Sequence, residues 1–222
     1  MITLTNADTI RTPFPVAVYD DVIPRDKFDE LVATFPTHQG LADDRVGAAR
    51  YNKFYLSDRH QTEGFRDFMA AHPVWNELYE EIRADFKQIC FDVLGPLGFP
   101  DPGRAYARTW SNMEFSSLPE NGGGLLPHPD ALKKIATAVL FMEPDWDASW
   151  GGAFEVLKRP DGQEEVDLAT WDEVETVKVV EVKPARIVFM QRTPISYHGV
   201  RPIHAPRPRR SLTLNLTARL ND

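Results

Sequence analysis

Up to about residue 94 the apolar side chains recur mainly at helical spacing; from about residue 105 they come as short runs separated by turns. Phe14 to Tyr19 (FPVAVY) is a short apolar run that ends at Asp20-Asp21 and predicts an edge strand. Pro24 then opens a helix, as proline does well in a first turn, and Phe28, Leu31, Val32 and Phe35 form its apolar face before Pro36 stops it. Residues 37–50 are polar and mixed and predict a loop, and Tyr51 to Leu56 (YNKFYL) predicts a strand. A longer helix is expected from about Val74 to Leu94, where Trp75, Leu78, Ile82, Phe86, Ile89, Cys90 and Val93 recur at three- and four-residue steps. The cluster GPLGFPDPG (95–103) ends the helical part.

The strand candidates that follow are Ala105–Phe115, Ile135–Met142, Ala153–Leu157, Val174–Val182, Arg186–Met190, Ser196–Ile203 and Arg209–Leu220. Short strands at this spacing predict a sandwich or barrel rather than βαβ units. The expected fold class is mostly β with flanking helices (α+β): a jelly roll, or double-stranded β-helix of cupin-like form, buttressed by N-terminal helices. Residues 1–222 are expected to form one domain, with 1–103 as helix-rich support and 104–222 as the jelly-roll core. In the last run, RRSLTLNLTA, Leu212, Leu214 and Leu216 fall on one face and Arg209, Ser211, Thr213 and Asn215 on the other. One face can pack on helices while the other lines a polar cavity.

Composition narrows the partners. The 222 residues are 42% hydrophobic and 26% charged, ordinary for a globular protein. With 33 acidic against 25 basic side chains the net charge is −8, which disfavours nucleic acid and anionic membranes as partners. Arg201, Arg207 and Arg210 form a local basic cluster, either solvated or placed to attract an anionic substrate. Cys90 is the only cysteine and sits in an apolar run, so no intrachain disulfide can form and a buried packing role is expected. The N-terminus lacks the pattern of a signal peptide, and no apolar run approaches the ~18 residues of a membrane span. A soluble, cytoplasmic protein is expected; its oligomeric state is not written in these patterns.

Six histidines are present, and only His128 is followed two residues on by a carboxylate, Asp130. In extended backbone residues i and i+2 share a face, so the two side chains can converge on one ion; Pro129 between them suits a rigid extended turn. H-x-D alone is a weak signal. Downstream come a Trp146…Trp150-Gly151-Gly152 turn, the distal His198, and a final strand carrying Arg209 and Arg210. Two imidazoles and one carboxylate on one face of an iron leave open coordination positions, whereas structural zinc prefers a closed site, often with thiolates.

In this combination the sequence resembles the prolyl-4-hydroxylase-like group of 2-oxoglutarate and iron(II)-dependent oxygenases, over about residues 105 to 220. The resemblance implies Fe(II) held by His128, Asp130 and His198, with 2-oxoglutarate and O2 as co-substrates. It implies oxidative decarboxylation to succinate and CO2, coupled to oxidation of a C–H bond in a small-molecule, amino-acid or peptide substrate. It also implies a basic residue for the C5 carboxylate. Arg209 is favoured over Arg210, because it shares a face with Ser211 in an R-x-S arrangement, on the polar side of the last strand. The alternative is a catalytically silent jelly roll that binds a metal or ligand, against which all three ligands and the arginine stand.

Relatives often carry a tyrosine for the C5 carboxylate on the strand after H-x-D, where this chain has Leu140-Phe141. Asn112, Glu114 and Phe115 lie where relatives contact the oxo acid or substrate. His204 is expected at the cavity rim, His38, His60 and His72 at the surface or in caps, and Gly122-Gly123-Gly124 as a flexible approach to the metal strand. The stretch from Asp43 to Asn52 is read as a lid or a plain connecting loop.

Overall fold

The computed structural model describes residues 1–37, 42–43, 51–52, 54–59, 62–95, 109–163 and 166–218. The N-terminal part contributes β1 (Asp8–Ile10), β2 (Val16–Tyr19), α1 (Arg25–Ala33), β3 (Ala42–Asp43), β4 (Tyr51–Asn52), β5 (Phe54–Ser57), α2 (Thr62–Ala71) and α3 (Pro73–Leu94). The C-terminal part contributes β6 (Thr109–Leu118), β7 (Gly124–His128), β8 (Lys134–Phe141), β9 (Phe154–Lys158), β10 (Glu175–Val180), β11 (Ile187–Gln191), β12 (His198–Val200) and β13 (Arg209–Ala218).

The strands make two sheets, β1-β2-β11-β8-β13-β6-β5-β3 and β10-β9-β12-β7-β4. Successive strands of the C-terminal part alternate between the sheets, the winding of a double-stranded β-helix. The mostly β, helix-flanked jelly roll expected from the sequence is the observed fold.

Each strand expected after residue 103 has its counterpart. The expected start at Ala105 falls before Thr109, outside the described residues. Both expected helices form. In α3 the spacing works as anticipated: Trp75, Leu78, Ile82, Phe86 and Cys90 are buried on one stripe. That stripe lies against β2, β6, β11 and β13, joined there by Met113, Phe115, Leu212, Leu214 and Leu216 in one core. Each such side chain contributes roughly 1.5–3 kcal/mol on full burial. Burial also pushes the Cys90 thiol up, as suits the packing residue expected there.

A second apolar cluster, including Val16, Phe141, Phe154, Val156 and Val188, fills the space between the sheets at one end of the roll. It plugs that end and leaves the other for a cavity.

Three expectations are corrected, and one helix is added. Phe14–Tyr19 does give a strand, but β2 lies between β1 and β11; the edge is β1, whose DTI carries no apolar run. The YNKFYL run is two strands: β4 pairs with β7 in the smaller sheet, and β5 pairs with β6 in the larger. Helix α2, absent from the sequence reading, buries Phe65 and Met69 one turn apart. Ala42–Asp43, inside the expected loop, pairs with β5. The rest of that loop, most of the 43–52 stretch, the breaker cluster beyond Gly95, His38 and His60 lie outside the described residues. Among the described residues, no helix is long and apolar enough to cross a membrane.

Candidate metal centre and co-substrate pocket

Strand β7 delivers His128 at its last residue and β12 delivers His198 at its first, and the antiparallel register sets the two directly opposite each other. Their rings lie 4.5 Å apart between centroids. Asp130 follows two residues beyond His128. One ligand atom from each of His128, Asp130 and His198 lies within 4.8 Å of the others, and all three side chains are buried.

The hydrogen bonds prepare these atoms for a cation. His128 Nδ1 meets Leu126 O at 2.6 Å and His198 Nδ1 meets Ser196 O at 3.0 Å. A carbonyl only accepts, so each Nδ1 carries the proton and each Nε2 is left as the basic nitrogen. Burial, with the neighbouring His198, pushes His128 down to about 3, so its ring is neutral near pH 7. Asp130 feels burial most, which would raise it. The Lys134 ammonium and the two imidazoles outweigh burial and hold the carboxyl below its ordinary range. Oδ1 accepts from Lys134 Nζ at 2.6 Å and Oδ2 from Thr137 Oγ1 at 2.5 Å. Two imidazoles with Nε2 free of the carbonyl contacts, together with an ionised carboxylate, are a donor set that fits a non-haem Fe(II). Phe154 stacks on His198, 5.4 Å between centroids, closing the site toward the apolar plug.

The second half of the site lies at the start of β13. Arg209 is 3% exposed, and burial pushes its guanidinium down to about 10, Glu143 working in the opposite sense, so it stays a cation near neutral pH. Nη1 donates to Gly152 O at 2.7 Å and Nη2 reaches Ser211 Oγ at a long 3.5 Å. Nε has no hydrogen-bond partner among the described residues. A guanidinium has five donors, and a buried charge without a counter-ion is costly. Arg209 therefore suits a carboxylate brought by a ligand, such as the C5 carboxylate of 2-oxoglutarate.

The Trp-x4-Gly-Gly turn explains how Arg209 is seated. Trp146 Nε1 donates to Gly151 O at 2.9 Å, fixing the turn. Gly152 has φ 79°, and a Cβ there would sit 3.1 Å from Arg209 Cδ. Glycine lets the arginine stem pass and offers its carbonyl to the guanidinium. Phe141 stands where relatives often carry tyrosine; Arg209 lies over its ring, 5.2 Å from the centroid. That face is aromatic but offers no hydroxyl.

One cavity of about 270 Å³ joins both halves, lined by His128, Asp130, His198, Arg209, Ser211 and further residues of β6, β8 and β13. All five residues singled out in the sequence thus meet in one place. Asn112 and Glu114 face the cavity too, whereas Phe115 points into the helix-side core. His204 is exposed in an isolated bridge with Asn121, outside the cavity lining described; His72 sits at the N-terminus of α3, stacked on Phe68. Gly122 and Gly123 make a tight turn instead of a flexible approach, and Gly124 already opens β7: Gly123 N donates to Pro119 O, and a Cβ on Gly123 would meet that oxygen at 2.3 Å.

The arginine cluster is also corrected. Arg201 pairs with Glu155 and lies over Trp171, while Arg207 and Arg210 share Glu143. Sequence reasoning missed Lys134 and Thr137, and it placed Gly152 in the turn motif without its contact to Arg209. The first two follow H-x-D closely on the next strand, but they lie three residues apart and share the cavity face only through the irregularity opposite Leu216 and Thr217, which alternation does not show.

Fold and donor set together define a jelly-roll oxygenase of the non-haem iron class. Residues 113–217 match the family model described as "2OG-Fe(II) oxygenase superfamily". That stretch holds all three triad residues and Arg209, and it supports a 2-oxoglutarate-dependent dioxygenase with Fe(II), 2-oxoglutarate and O2 as its cofactors. Among solved structures it is similar to a Pseudomonas putida prolyl-4-hydroxylase (18% identity, 92% of each chain, TM-score 0.57). It is also similar to a Trichoplax adhaerens prolyl hydroxylase in complex with a hypoxia inducible factor peptide fragment (14%, 91% of this chain and 83% of that, TM-score 0.54). A third likeness is to a carbocyclase from nogalamycin biosynthesis (16%, 91% and 79%, TM-score 0.59). At these identities the likenesses concern the fold. No curated protein matches the chain by sequence.

Proposed function

We propose that the protein hydroxylates a C–H bond of an amino-acid, peptide or small-metabolite substrate, with His128, Asp130 and His198 holding Fe(II) and Arg209 with Ser211 holding the C5 carboxylate of 2-oxoglutarate. The observation that carries this reading is the pairing of a buried His-Asp-His triad with a buried arginine in one cavity, the arginine having no carboxylate in hydrogen-bond contact among the described residues. Fe(II) with the oxo acid supplies O2 activation coupled to release of succinate and CO2.

The chain's own residues do the rest. Leu126 and Ser196 carbonyls set both imidazole tautomers. Lys134 and Thr137 orient Asp130 and keep it ionised. Arg209 and Ser211 fix the far end of the oxo acid, and Gly152 fixes Arg209. Phe154 and the apolar plug keep water from the closed end. Residues 104–222 would carry the chemistry, with 1–103 as support.

The test is anaerobic titration of the metal-free protein with Fe(II) and then 2-oxoglutarate, watching for the weak visible metal-to-ligand charge-transfer band. The band is expected only with both and is lost in His198→Ala. Folded protein that gives no band with both would overturn the site, and the silent jelly-roll reading would replace it.

A further inference from the structure

The smaller sheet is covered on its outer face by a strap, residues 166–174, that leads into β10. Val166, Ala169, Trp171 and Val174 pack there with Leu157 and Tyr197 in an apolar cluster of their own. Leu157 alternates along β9 with Val156, which faces the space between the sheets, so the cluster lies on the side away from the cavity. None of residues 166–174 lines the cavity.

Three contacts of the strap fall on chain neighbours of the proposed iron ligands. Ala169 N donates to Pro127 O at 2.8 Å, and Pro127 precedes His128. Tyr197 precedes His198 and is buried; its hydroxyl donates to Val166 O and accepts from Val166 N, each at 2.8 Å. Gly199 follows His198, and a Cβ there would lie 2.9 Å from Trp171 Cη2, so the indole rests on the backbone itself. Arg201, paired with Glu155 at 2.9 Å, stands 4.2 Å from the centre of the same ring. The strap is also tied to itself, Thr170 N donating to Glu173 Oε2 at 2.7 Å.

Successive side chains in extended backbone point to opposite faces, so a neighbour held from outside fixes the histidine that points inward. The carbonyls that meet the two Nδ1 atoms, of Leu126 and Ser196, belong to the same short stretches of chain. A plain apolar cover would need neither a buried hydroxyl with two partners at residue 197 nor the absence of a side chain at residue 199. Both features specify where the strap sits, beyond the burial it provides.

We propose that the strap, through Tyr197 and Trp171, is a positioning device for the iron site. It sets the approach of His128 to His198, and so the metal affinity, without touching metal or substrate. This rests on the oxygenase reading above. Outer contacts that orient metal ligands are worth about 10- to 100-fold in affinity.

The test is the Fe(II) dissociation constant, read from the charge-transfer band at saturating 2-oxoglutarate. Beside it stand KM for 2-oxoglutarate at saturating Fe(II) and thermal unfolding of the metal-free protein. Tyr197→Phe and Trp171→Ala should each weaken Fe(II) binding by about tenfold, with KM for 2-oxoglutarate unchanged. Trp171→Phe, which keeps a flat ring over Gly199, should recover most of the loss. Val174→Ala trims the same cluster but makes none of the three contacts; it should lower the unfolding temperature and leave Fe(II) affinity as it was. Tyr197→Phe keeps its ring and so guards against a folding defect in Trp171→Ala. Unchanged Fe(II) affinity in Tyr197→Phe and Trp171→Ala would overturn the inference, and so would an equal loss in Val174→Ala; in both cases the oxygenase reading would stand. Folded wild-type protein without the band would overturn both.

Discussion

Arg209 and Arg210 are adjacent in sequence, and the pleat of β13 sends them into opposite surroundings. Arg210 turns toward the helices, where Nε donates to Glu143 Oε1 at 3.1 Å, Nη1 donates to Val32 O, and the guanidinium lies over Phe35. Glu143 is itself fully buried, so this cation has its counter-ion within the chain. Arg209 turns toward the cavity and is bonded to a carbonyl and, at long range, a hydroxyl. The same residue type thus serves as a strut on one face and, in the function proposed, as a receptor on the other. What tells them apart is whether the chain itself supplies the anion.

The largest effects should come from the receptor side. His128→Ala or Asp130→Ala should reduce Fe(II)-dependent succinate formation to background and remove the charge-transfer band, with the far-UV spectrum little changed; full turnover in either would remove the triad from the site. The strut comes next. Arg210→Ala should lower unfolding free energy by about 3 kcal/mol, as expected when a buried carboxylate loses a partner, because Arg207 at 3.5 Å remains near Glu143. Its KM for 2-oxoglutarate should not move.

Arg209→Ala should do the reverse. It should raise that KM by roughly 10- to 150-fold, the worth of a charge-assisted hydrogen bond of about 1.5–3 kcal/mol. If the two variants exchange phenotypes, the contrast drawn between the arginines is lost.

A smaller shift should come from Gly152→Ala, which places a Cβ 3.1 Å from Arg209 Cδ at a positive φ. A penalty of about 1–2 kcal/mol is expected for that backbone, seen as lower stability together with a raised KM for 2-oxoglutarate. The smallest lies far from both arginines. Asp20 accepts from Arg186 Nη2 at 2.8 Å, and this bond holds its carboxyl below the ordinary range. A depressed folded pKa means stability that is present above the unfolded value, near 3.9, and is lost as pH falls through the folded one. Asp20→Asn should flatten acid unfolding by less than about 1 kcal/mol, since the Asp20 carboxylate is substantially exposed; a larger change would mean that the periphery rivals the buried struts.

Much of this was legible in the sequence because it depends on local periodicity. The i, i+2 geometry of His128-Pro129-Asp130, the alternation of RRSLTLNLTA and the stripe of α3 are each set within a few residues. Arg209 was separable from Arg210 by alternation alone. What stayed hidden depends on residues brought together by topology. Glu143, partner to Arg207 and Arg210, carries no mark in the run FMEPDW, so the arginines read as a solvated cluster. The identity of the edge strand depends on sheet order, and three residues of β1 give no pattern. Helix α2 was missed because TEGFRDFMAA mixes a glycine and three charges into ten residues, with only Phe65 and Met69 fully sealed. The Gly-Gly turn was noticed as a signature, but its task of seating Arg209 is a contact across 57 positions.

The split of residues 51–57 between the sheets has a mechanical consequence. Strand β4 is stitched to β7, which carries His128, and β5 to β6, which carries Asn112 and Glu114, with one residue between the two strands. A trans peptide step spans only about 3.8 Å between Cα atoms, so this short tether limits how far the two walls can slide or part where it crosses. The spacing between the proposed iron ligand His128 on one wall and the polar side chains Asn112 and Glu114 on the other is thereby gauged by the chain itself, as a spacer sets the gap between two plates.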